Sequence, residues 1–282
     1  MKYDIVATVD YSGARSNSVQ KKHIYLTMKQ VKNYHLEIVS DITRDELLEH
    51  IQSLLRNAHK HNKFCIIGFD FSFWFPFRFF QLIYKKNIHS WREQLKLLNN
   101  GIENIPPLGD NPRKWAEQIN EIFYLKYQVN GGPFWGPGFL QGKKPQLAYQ
   151  ELRIHSRRLV EERIRRMKSI FQIGGIGSVG LQALYGIGQM KKLLSFCRKK
   201  NIPVHVWPFD GWEPDPSKHL ICEIYPALYN KGPKRDLEDA LASAHWFAKH
   251  ITSDSLVSEL DPGLTSAERR RAKMEGWVPG VH

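Results

Sequence analysis

Lys63-Phe64-Cys65-Ile66-Ile67-Gly68-Phe69-Asp70 is the stretch on which the fold turns. Its apolar residues run on without polar alternation, which describes a strand buried on both faces. It closes on Asp70, and bulky Phe71, Phe73 and Trp74 follow. A carboxylate in such surroundings costs several kcal/mol unless it is paired, hydrogen-bonded or bound to a cation. Asp4-Ile5-Val6-Ala7-Thr8-Val9-Asp10 repeats the form: a β-branched run, an acid at its end, then Tyr11-Ser12-Gly13.

Around these two runs the periodicity changes in an ordered way. Residues 23–29 and 34–39 alternate as half-buried strands, with turn-prone residues between them. Thr43-Arg44-Asp45-Glu46 has the spacing of a capping box, and Leu47, Leu48, Ile51, Leu54, Leu55 and Ala58 follow at helical intervals. Three strands, a helix and a fourth strand are therefore expected by residue 70. Further on, 169–173, 203–207 and 220–225 are strand-like. Helices are expected over 178–199, with Ser178 as N-cap, near 236–250, and from Ser266 to Gly276. Residues 91–168 break the pattern with Pro106-Pro107, the loop Gly131-Gly132-Pro133-Phe134-Trp135-Gly136-Pro137-Gly138 and a long helical run near 149–168. The expected organisation is an α/β core of residues 1–90 and 169–282, with 91–168 as a basic, largely helical insertion.

Composition removes whole classes of function. Of 282 residues, 42% are hydrophobic and 24% charged, a profile that excludes a disordered tail. Cys65, Cys197 and Cys222 are far apart, which argues against a disulfide framework or a thiolate zinc site and points to a reducing cytoplasm. No signal peptide is visible at the start. The most apolar stretch, 64–80, holds Asp70, Pro76 and Arg78, which argues against a membrane span. The net charge of +13 suggests a polyanionic partner, most simply nucleic acid. Residues 1–90, 91–168 and 169–282 carry +5, +6 and +2, so the middle segment is the most plausible contact and the acids of the last segment need another explanation.

Those acids have ordinary readings taken singly. Asp10 fits a strand-end turn. Asp70 could be held by backbone amides or an arginine. Asp236 and Asp239, three apart on one helix face, suit the positive end of a helix dipole, and Ala240, Ala242, Ser243 and Ala244 after them would let that helix approach a sheet closely. Glu223 is either an outward strand residue or one more acid of a metal site. What the dipole leaves unexplained is the recurrence of acids at strand ends.

Taken together, these features resemble the RNase H-like superfamily. An acid on the first and fourth strands and one or two opening a late helix is that family's arrangement. Asp236-x-x-Asp239-Ala-Leu-Ala-x-Ala is similar to the last catalytic motif of RuvC-type Holliday-junction resolvases. Val9-Asp10-Tyr11-Ser12-Gly13, Ile67-Gly68-Phe69-Asp70, Gly177-Ser178-Val179-Gly180, Glu223-Ile224-Tyr225-Pro226-Ala227 and Glu275-Gly276-Trp277 resemble an uncharacterised branch of predicted nucleases with that fold. The resemblance covers 1–90 and 169–280. It implies a mixed five-stranded sheet flanked by helices, and a metal-dependent nuclease using two Mg2+ or Mn2+ ions, about 3.5–4 Å apart, on DNA or RNA. In that scheme Asp10 bridges the ions, Asp70 and Asp239 complete one site each, and Asp236 or Glu223 is the fourth acid. The resolvase branch usually has Glu where this chain has Asp70. The resemblance also implies a homodimer.

Three other readings compete. Gly175-x-Gly177-x-x-Gly180 satisfies a dinucleotide fingerprint, but no acid follows at the distance a ribose requires. Asp10-x-x-Gly13 and the 174–180 loop suit an actin-like or sugar-kinase ATP site; the Asp236–Ala244 helix argues against it. A non-catalytic nucleic-acid binder would use Arg153, Arg157, Arg158, Arg165 and Arg166, with Trp135, Trp115 and Phe134 for base stacking. The same arginines also suit a solvated helix face over an apolar stripe.

Overall fold

The computed structural model describes residues 2–282 except 34, 85–89, 103, 129–130, 139–145, 176 and 234, and only the backbone of 146–148. The chain forms two compact units. The first comprises Met1–Phe71, Lys192–Ala267 and Trp277–His282; the second comprises Ser72–Lys191 and Glu268–Gly276.

The first unit is built on one mixed sheet. Its elements in chain order are β1 (Ile5–Asp10), α1 (Asn17–His23), β2 (Tyr25–Gln30), β3 (Leu36–Val39), α2 (Arg44–Lys60) and β4 (Cys65–Phe69). The second unit contributes α3 (Phe79–Tyr84), α4 (Trp91–Asn100), α5 (Pro112–Tyr127), α6 (Gln146–Glu151) and α7 (Leu159–Arg163). Then come α8 (Gly180–Lys199), β5 (Val204–Val206), β6 (His219–Glu223), α9 (Asp236–Thr252), α10 (Leu256–Glu259) and α11 (Ser266–Glu275). The strand order is β3-β2-β1-β4-β6-β5. β1–β2 and β2–β3 pair antiparallel, whereas β1–β4, β4–β6 and β6–β5 pair parallel. This is an α/β fold with a helical insertion after β4, and its topology is consistent with an RNase H-like sheet. Among the described residues the sheet has six strands, against the five that the resemblance implies.

Local chemistry explains why the early elements form where the sequence placed them. Thr43 accepts from the Glu46 backbone and Glu46 accepts from the Thr43 backbone at 2.7 Å, so the capping box opens α2. Val6, Ile66, Ile67, Leu220 and Ile221 are all fully buried, as strands covered on both faces require. Helix α9 lies against β1 and β2 through small residues: Ala240, Ser243 and Ala244 are fully buried. The Thr8 hydroxyl donates to the Ala240 carbonyl at 2.7 Å and the Thr27 hydroxyl reaches the same oxygen at 3.3 Å, tying the first turns of α9 to the sheet. No described helix is long and apolar enough to cross a membrane.

Two expected elements take another form. The run 169–173 is no strand; Ile170, Phe171 and Ile173 are buried in the second unit, and Gln172 makes only an isolated bridge to Trp135. A short apolar run carries no periodicity to separate a strand from a buried loop. The long helix read over 149–168 is broken into α6 and α7, with Arg153 at φ 51° between them. The second unit also begins earlier than the insertion read from residue 91. Its core is aromatic: Phe79 stacks on Phe123 at 6.0 Å, and Phe75 packs with Trp115 at 6.1 Å and Phe171 at 6.2 Å.

Candidate active site

The sheet brings the two strand-end acids together. Val9 is the register partner of Phe69 in the parallel β1–β4 pair, and the Asp70 backbone continues that pairing by donating to the Val9 carbonyl at 3.1 Å. Asp10 and Asp70 thus stand side by side at the carboxyl ends of adjacent parallel strands, where open α/β sheets place their ligands. Alternation along the strands turns both toward the face that carries Thr8, hence toward α9. The anchored start of α9 supplies Asp236 as its first residue and Asp239 in its first turn.

These acids act on one another electrostatically. Asp10 is 9% exposed. Burial pushes its carboxyl up to about 10, and Asp70, Asp236 and Asp239 each add to the rise. Among the described residues no hydrogen-bond donor reaches the Asp10 side chain. Four acids from three elements therefore share one electrostatic neighbourhood with a buried, unsupported carboxylate at its centre. Among the described residues, no three His, Cys, Asp or Glu side chains stand close enough to ligate one ion as placed. The cluster is an electrostatic one and not a closed ligand shell.

The outer acids have partners that fix them. Asn230 donates to Asp239 Oδ1 at 2.6 Å, and His23, at the end of α1, meets Asp236 Oδ2 through Nδ1 at 2.7 Å. Neither Asn230 nor His23 was marked by the sequence, because each lies far along the chain from a motif and only α1, itself unexpected, brings His23 in. Glu223 is placed differently. It is 1% exposed, and its register partner is Phe69, so alternation puts it on the opposite sheet face from Asp10 and Asp70. Of the two acids left open by the sequence, Asp236 acts on Asp10; Glu223 acts instead on Tyr229, whose phenol is pushed well up by burial, Cys222, Glu223 and Asp70.

The expected nucleic-acid contacts of the second unit are largely turned inward. Arg158 is fully buried, 2.7 Å from Glu161, and donates to Ser72 Oγ and the Glu275 carbonyl. The Arg157 guanidinium donates to the carbonyls of Glu161 and Arg165 at 2.7 and 3.1 Å. Both arginines are staples of this unit, and a polyanion cannot reach Arg158. Trp115 and Phe134 are buried in the aromatic core, where no base can stack on them, and Trp135 is half-buried. Arg153, Arg165 and Arg166 face solvent. Glu275 is likewise internal: its carboxylate accepts from the backbone amides of Phe77 and Leu159, both at 2.6 Å.

The glycine-rich loop also has a structural explanation. A side chain on Gly180 would meet the Ile170 and Gln172 carbonyls at 2.5 and 2.6 Å, and one on Gly136 would meet the Gly174 backbone at 2.4 Å. These glycines let two backbone segments cross. In comparisons with known proteins, no family model, curated protein or solved structure matches this chain.

Proposed function

We propose that this chain is an RNase H-like, metal-dependent nuclease that hydrolyses phosphodiester bonds of DNA or RNA at the Asp10–Asp70–Asp239–Asp236 cluster. The observation that carries this reading is Asp10: a buried carboxyl with no donor among the described residues, and three further carboxylates acting on it. Like charges packed this way oppose folding, and a hard divalent cation is the partner that oxygen donors of this kind accept. Bound Mg2+ or Mn2+ would supply Lewis-acid activation of water and neutralise charge on the leaving oxygen.

The protein's own residues do the positioning. Asp10, Asp70 and Asp239 would hold the metal, with Asp236 as the fourth acid. Asn230 holds one oxygen of Asp239 and so orients the other; His23 holds Asp236 at the rim. Thr8 and Thr27 fix the helix that carries both acids. Three buried free thiols, Cys65, Cys197 and Cys222, accord with a reducing compartment.

The test is cleavage of end-labelled single- and double-stranded DNA and RNA by the purified protein with Mg2+, Mn2+ or EDTA. Cleavage that requires the metal and disappears in Asp70→Asn, with nucleic-acid affinity retained, supports the reading. No cleavage of any of these with either metal rejects it, and ATP turnover in its place would favour a phosphotransferase.

A further inference from the structure

The nuclease reading leaves open what holds the substrate, since the arginines first expected to do so are partly buried. Another positive stretch lies next to the first acid of the cluster. Residues 11–36 carry five Lys or Arg and no Asp or Glu, against a net +6 spread over 91–168. This stretch begins immediately after Asp10.

Its charges do not all sit at the site. The β1–β2 register pairs Asp10 with Tyr25 and Ile5 with Gln30, so Lys32 lies at the far end of the sheet. Lys29 is buried, and Lys21 acts on Glu46 at the start of α2. Arg15 and Lys22 remain, exposed at the Asp10 end, with no ion-pair partner among the described residues. Beside them His23 touches Asp236.

The segment is also held in shape. Arg44, itself buried, donates to the carbonyls of Ser12 and Ala14 at 3.0 and 2.6 Å. Gln20 donates to the Arg15 carbonyl at 3.2 Å and accepts from the Arg44 backbone at 3.0 Å. Cations in the last turn of α1 suit its dipole, which accounts for Lys22. The dipole gives no reason for Arg15, which precedes the helix.

We propose that Arg15, Lys22 and His23 form the surface on which the phosphodiester backbone of a nucleic-acid strand lies as it enters the acid cluster. Arg153, Arg165 and Arg166 are then secondary. This rests on the nuclease reading for its substrate, but it is tested without turnover. Binding of fluorescein-labelled single-stranded DNA, and of RNA of the same sequence, is followed by anisotropy in EDTA.

Arg15→Ala/Lys22→Ala is expected to weaken binding about tenfold and to lower the logarithmic salt slope by about 1.4, the contribution of two phosphate contacts on a single strand. Arg15→Lys/Lys22→Arg keeps the affinity, and the thermal melt is unchanged because both side chains are exposed. The strand bound more tightly, DNA or RNA, identifies the substrate. The proposal is overturned if the wild type binds neither strand, or if the loss does not exceed that of Arg153→Ala/Arg165→Ala/Arg166→Ala. Metal-dependent cleavage with an unaffected double variant would leave the nuclease reading standing and remove this surface. Binding through Arg15 and Lys22 without cleavage would do the reverse.

Discussion

Both units bury carboxylates, and Asp10 of the first is treated unlike Glu161 and Glu275 of the second. In the second unit Glu161 and Glu275 are fully buried but satisfied: Glu161 pairs with Arg158 at 2.7 Å, and Glu275 accepts two backbone amides and Arg271 Nε at 2.9 Å. In the first unit Asp10 is nearly as buried, has no described donor, and faces three other acids. Satisfied buried charge gives a scaffold a fixed geometry. Unsatisfied like charge opposes the fold that contains it, and persists where a ligand of opposite charge is part of the design.

The sharpest way to break this contrast is to neutralise one acid in each unit. Asp70→Asn is expected to reduce metal-dependent strand cleavage by roughly a thousandfold, about 4 kcal/mol of barrier, while urea denaturation shows no loss of stability. Arg158→Ala should do the converse. It strands Glu161 in the interior and costs about 3–5 kcal/mol of stability, read as a lower urea midpoint at unchanged slope. A catalytic loss beyond that explained by unfolded protein would mean that the second unit takes part in the chemistry.

Asp10→Asn sharpens the contrast from the other side, because it should stabilise the metal-free protein. Folded Asp10 keeps its proton to about pH 10, whereas an unfolded Asp releases it near 3.8. The folded state therefore binds more protons between those values, and stability falls as pH rises through them. The substitution removes that fall, so its gain is absent near pH 4 and grows to a few kcal/mol at neutral pH, about 4 at most. A melting series in EDTA measures it, and a destabilised Asp10→Asn would contradict the account of repulsion.

The smallest effect concerns His219, a buried group of the first unit outside the cluster. Its Nδ1 accepts from the Cys65 backbone at 3.2 Å, and burial, with a contribution from His59, lowers its pKa to about 4. The unfolded ring takes a proton near 6.5, so stability present at neutral pH is lost as pH drops from about 6.5 toward 4. His219→Gln should flatten this acid limb by roughly 1 kcal/mol at pH 5. Melts of the two proteins across that range should converge in shape above pH 7.

Much of the first unit was legible from residues. Strands that end on acids, a Thr-x-x-Glu cap and a small-residue helix face are local signals, and each element appeared within a few residues of its expected place. Helix α1 was missed because Asn17–His23 is short and carries little apolar periodicity; only Gln20 in it is buried. The arginines of 153–166 were read as one exposed helical face because helical spacing alone cannot tell a surface guanidinium from one folded back onto carbonyls. Trp115 and Phe134 failed in the same way, since an aromatic side chain suits a core as well as a base stack.

By itself, the sequence determined the identity of the acids and the strands and helix that carry them, because burial periodicity and capping act over a few neighbouring residues. Only the tertiary structure decided which acids meet. Strand register sets Asp10 beside Asp70 and turns Glu223 to the other face, and two threonine hydroxyls seat α9 so that Asp236 and Asp239 complete the group. Register and helix docking are long-range choices, fixed by packing across the whole sheet, and no local pattern encodes them.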